Sequence, residues 1–106
     1  MDTNELTKAY DDVAKFTDAA FMAGRDLAAC KEAFENKAAR SIMDGTITGK
    51  NDTERKAASI MLYQKDYAEM NKCNDEYGQA KNSLALAEIH LDCLRDILRI
   101  EELLKQ

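Results

Sequence analysis

Proline and tryptophan are absent, and glycine is scarce, with four in 106 residues. Aromatic residues make up only 7%. Without turn-formers and strand-forming aromatics, a sandwich or barrel of many short strands is excluded. There is also no basic excess: 15 Lys and Arg stand against 20 Asp and Glu, a net charge of −5. A protein that tracks phosphates would show the opposite balance. Three cysteines, Cys30, Cys73 and Cys93, form no CxxC pair and are too few and odd in number for a disulfide framework. The acidic start Met1-Asp2-Thr3-Asn4-Glu5 has no basic region followed by an apolar one, and no apolar run spans a bilayer. The expectation is a cytoplasmic protein with reduced thiols and no membrane segment.

What is abundant is alanine and charge. Sixteen Ala and 33% charged residues, with 45% hydrophobic content, point to long helices rather than disorder. One break is visible, Asp44-Gly45-Thr46-Ile47-Thr48-Gly49-Lys50-Asn51. Gly45 suits a helix C-terminus, and Asn51 with Glu54 has capping-box spacing. On either side the apolar residues repeat every seven. Leu6, Val13, Ala20, Leu27 and Phe34 pair with Ala9, Phe16, Ala23 and Cys30 in the first half. Tyr63, Met70, Tyr77, Leu84, Leu91 and Leu98 pair with Cys73, Ala80, Ala87 and Leu94 in the second, with Tyr67 filling the seam where Asp66 falls. The expected fold is all-α: one domain over residues 1–106, a long antiparallel two-helix hairpin of coiled-coil type. Helix 1 covers about 3–44, the loop 45–50 and helix 2 about 51–105. Gly78 is a place for a kink.

Folding about that loop sets residue i against about 95 − i. The second helix then overhangs by roughly 20 Å. The overhang carries Leu94, Ile97, Leu98, Ile100, Leu103 and Leu104. With Leu91 they are the expected oligomer or partner interface. A second apolar set, Phe21, Met22, Ile42, Met43, Ile60, Met61, Leu62, Leu86 and Ile89, lies largely off the seam. The two together imply a homodimer closing into a four-helix bundle.

No catalytic constellation is present, and the protein reads as a non-enzyme needing no cofactor and no metal. His90 and Cys93 share a helix face but give two ligands where structural zinc wants four. In the 95 − i register, Cys73 falls opposite residue 22 and Cys30 opposite residue 65, with no histidine near either. Asp11, Asp12 and Asp18 make the most acidic stretch. That face could cover a basic channel on a protein partner. Lys50, Arg55 and Lys56 form a small basic cluster, a weak basis for direct nucleic-acid contact.

The segment Gly49-Lys50-Asn51-x-x-Glu54-Arg55-Lys56-Ala57 opens a helix that ends in Leu94-Arg95-Asp96-Ile97-Leu98-Arg99-Ile100. This resembles a group of small helical-hairpin proteins of tailed bacteriophages and prophages, over roughly residues 44–104. The resemblance implies a phage accessory protein, working in the host cytoplasm, that binds and modulates or inhibits a nuclease or defence effector. It carries over no active residues. The alternatives are a purely structural homo-oligomer or scaffold, and a recombination accessory factor that associates weakly with nucleic acid. The secreted WXG hairpins carry Trp-x-Gly in their loop; here the loop is Gly-Thr-Ile-Thr-Gly with no Trp, so that route is not implied.

Overall fold

In a computed structural model that describes residues 2–106, the chain forms three helices: α1 (Thr3–Met43), α2 (Asp52–Leu62) and α3 (Gln64–Lys105). No strand occurs among the described residues. The all-helical expectation holds, and the long helices fit a hairpin. The expected single second helix does not hold. It is interrupted at Tyr63, with φ −114° and ψ 49°, whereas α3 runs through Gly78 unbroken. Two features localise the break. Ser59 Oγ donates back to the Arg55 carbonyl at 2.8 Å, a bond that bends helices. One turn on, the Tyr63 hydroxyl bonds the buried Ser41 hydroxyl of α1. The side chain is thus fastened where the helix would otherwise run straight.

The chain divides into two compact units, residues 24–76 and residues 1–23 with 77–106. In the first, Leu27, Phe34, Ala38, Ile47 and Cys73 are buried. Phe34 packs on Tyr67 with ring centroids 5.5 Å apart. Lys37 Nζ donates to Asp66 at 2.9 and 3.0 Å. As the α1 number rises through 30, 34, 37 and 41, its α3-side partner falls through 73, 67, 66 and 63. The pairing is therefore antiparallel, and paired numbers add to between 101 and 104. The expected sum of 95 is displaced by about eight residues, roughly two helical turns.

The loop absorbs the difference. Gly45 adopts φ +84°, a left-handed conformation that ends α1 cheaply only in glycine. Ile47 then returns, its N–H donating to the Ser41 carbonyl at 2.9 Å and its side chain buried. Asn51 Oδ1 accepts from the Glu54 N–H at 2.9 Å, while Glu54 Oε2 accepts from the Lys50 N–H at 2.7 Å. This is the expected capping box, its return bond set one residue earlier than usual. Loop residues 49–51 thus pair with the first turn of α2, and Asp52, Lys56 and Ser59 of α2 line a recess with Phe34, Ala38 and Ile42 of α1.

In the second unit, Ala9, Leu91 and Leu94 form a buried cluster with Leu6 and Val13 packed against it. Ala9 is 2% exposed, so the small residue lets the two leucines sit close to α1. This cluster keeps the same spacing as the pairing in the other unit. Thr3 then stands opposite about residue 100, and the overhang shrinks from roughly 20 Å to about 8 Å.

Candidate protein-binding surface

The register decides which apolar residues remain free. Leu91 and Leu94, expected at an interface, belong to the chain's own core, 7% and 9% exposed. Leu98 is half-buried. Ile97, Ile100, Leu103 and Leu104 are exposed as expected. Leu86 and Ile89, from the second apolar set, are exposed too.

Their spacing makes one surface. Leu86, Ile89, Cys93, Ile97, Ile100 and Leu104 follow one another at three or four residues along α3. Leu86, Cys93 and Ile100 each lie two residues beyond a seam leucine (Leu84, Leu91, Leu98), about 200° around the helix. The outer stripe therefore faces away from α1 in this unit. Its aliphatic members are 46–82% exposed. Glu88, Asp92, Arg95, Asp96 and Arg99 are among the exposed residues beside it. An apolar band flanked by charges of both signs is the pattern of a helix face that packs on protein. On α1 of the same unit, Tyr10, Phe21 and Met22 are half or more exposed.

The charged candidates separate. Asp11 and Asp18 are exposed, and Asp12 is half-buried beside a shallow recess formed with Glu5, Lys8, His90 and Leu94. In the basic cluster, Lys50 and Lys56 are exposed. Arg55 is committed locally: Nη1 donates to the Gly49 carbonyl at 3.2 Å, and Nη2 pairs with Asp52. The guanidinium thus fastens the loop to α2, and it is not presented to phosphate. At the loop's other end Thr46 donates to Asp44 from both side chain and backbone, holding that carboxyl below the usual carboxylate range.

One grouping is not visible at the expected register. Cys30 Sγ and Cys73 Sγ lie 3.0 Å apart, and Cys73 Sγ donates to Glu69 Oε1 at 3.9 Å. With the 95 − i pairing these cysteines are about two turns apart. The usable signal was that both occupy seam positions of their heptads. Cys93 is exposed and stands apart as a free thiol.

No helix among the described residues is long and apolar enough to cross a membrane. Compared with known proteins, the chain matches no family model, no curated protein and no solved structure.

Proposed function

We propose that the chain is a non-enzymatic protein-binding module working through the outer stripe of α3, and that a second copy is its first occupant. The observation that carries the reading is the stripe itself. The exposed fractions of Leu86, Ile89, Ile97, Ile100 and Leu104 amount to about three whole aliphatic side chains. Burying them is worth about 4–9 kcal/mol per copy, at roughly 1.5–3 kcal/mol per side chain. Association costs on the order of 4–15 kcal/mol in lost freedom. One stripe laid on a polar surface falls short through most of that range. Two stripes packed together contribute about twice as much and clear most of it. A two-fold pairing of α3 on α3 gives a four-helix bundle.

The bundle would leave outward the exposed Asp11 and Asp18, a surface suited to a basic protein partner. The resemblance at residues 49–57 and 94–100 supplies the setting for that partner, a phage accessory protein acting on a nuclease or defence effector. The test is the double variant Ile97→Asp/Ile100→Asp in sedimentation velocity. Both side chains are half exposed, so helicity stays and the dimer is lost. A double variant that sediments as the wild type does contradicts the stripe as the interface.

A further inference from the structure

Among the described residues, one cluster of chemically reactive side chains lies away from the α3 stripe. Cys30 of α1 and Cys73 of α3 sit in the residue 24–76 unit with their sulfurs 3.0 Å apart, although 43 positions separate them in sequence. Cys73 is buried and Cys30 half-buried. We propose that Cys30 and Cys73 form a covalent modification site, at which a peroxide or an oxidised low-molecular-weight disulfide converts the two thiols into one intramolecular disulfide joining α1 to α3.

The geometry is most of the reaction. A disulfide needs the sulfurs about 2.05 Å apart, so closing the gap requires about 1 Å of side-chain movement. With hydrogen peroxide, the accessible Cys30 sulfur attacks one oxygen. The O–O bond breaks, water leaves, and Cys30 becomes a sulfenic acid. The Cys73 sulfur then attacks the Cys30 sulfur, the S–O bond breaks, and the hydroxyl leaves as a second water with the Cys73 proton. Two thiols and one peroxide become one disulfide and two waters. With a small disulfide, the same two attacks pass through a mixed disulfide on Cys30 and release two small thiols. The order follows from burial, and from the hydrogen bond to Cys30 that, with burial and the nearby negative charges of Cys30, Glu69 and Glu76, pushes the Cys73 thiol up to about 11. Cys73 is therefore the resolving partner.

The same side chains, with Glu69, offer three donor atoms within 4.8 Å of one another. A tetrahedral zinc holds thiolates at about 2.3 Å each, which sets them roughly 3.8 Å apart, and a structural site takes four protein ligands. The observed sulfurs are closer than that, and the donors number three.

The experiment uses the full chain carrying Cys93→Ser, which removes the exposed third thiol and leaves the pair intact. Dilute protein is treated with hydrogen peroxide or oxidised glutathione. Expected are the loss of both titratable thiols, an intact mass lower by about 2 Da and a Cys30–Cys73 cross-linked peptide, without a covalent dimer on a non-reducing gel. Closing so long a loop raises Tm by on the order of 10 °C over the reduced form. Surviving thiols, higher oxidation of the single sulfurs, links only between chains or an unchanged or lowered Tm would each overturn the proposal. So would retention of one equivalent of zinc through dialysis with protection of both thiols, which would make the cluster a metal site.

Discussion

Leu91→Ala is the perturbation that separates the observed pairing from a simple fold about the loop. On the simple fold Leu91 sits at the end of the seam, next to an uncovered tail. Here it is 7% exposed and clustered with Ala9, Leu94, Leu6 and Val13. Removing a buried leucine side chain costs about 2–5 kcal/mol, by lost transfer energy and the cavity left behind. Because the cluster is small and lies between two helices, partial collapse puts the expected value near the lower end, about 2–3 kcal/mol. For a domain of this size that lowers Tm by roughly 10–15 °C. The assay is urea unfolding followed by helical circular dichroism, at two protein concentrations tenfold apart. Core losses are independent of concentration and interface losses are not. Ile100→Ala, at a position 55% exposed, serves as the comparison. Its effect is small at the lower concentration and grows at the higher. A Leu91→Ala variant no less stable than Ile100→Ala at the lower concentration would refute the pairing.

Further outcomes follow from the loop and the thiols. Gly45→Ala forces a side chain into φ +84° and is expected to cost about 1–2 kcal/mol in urea unfolding, although the space around the site is open. Asn51→Ala removes the acceptor for the Glu54 N–H and is expected to cost about 1 kcal/mol, with Asn51→Ser restoring most of it. Thiolate absorbance near 240 nm is expected to show a component ionising at about pH 11 that Cys73→Ser abolishes. The folded protein favours the protonated Cys73 thiol. That contribution is complete below the unfolded value of about 8.5 and fades as pH rises through about 11. Ionisation of Cys73 near 8.5 in the folded protein would contradict the buried, hydrogen-bonded pair.

The helices and their inward faces were readable because a seven-residue period acts over the whole chain. Leu27, Phe34, Cys73, Leu91 and Leu94, placed in the seam by spacing alone, are all buried. The register was not readable, because it depends on how many residues the turn consumes. Counting the loop as 45–50 assigns every residue after Asn51 to the α1 seam. In the fold, Ile47 turns back to Ser41, the Asn51–Glu54 cap starts α2 as a separate short helix, and Tyr63 marks the break by bonding Ser41. None of these bonds has a period. The eight-residue displacement moved Leu94 from tail to core and brought Cys30 to Cys73. It left the outer α3 stripe as the main uncovered apolar surface of its unit.

The stripe's role is tested most directly by the mass of the wild-type protein in light scattering across a wide concentration range. Packing of α3 on α3 predicts a mass near twice 11.9 kDa at high concentration, falling toward 11.9 kDa on dilution. A mass of 11.9 kDa at every concentration would contradict self-association through the stripe.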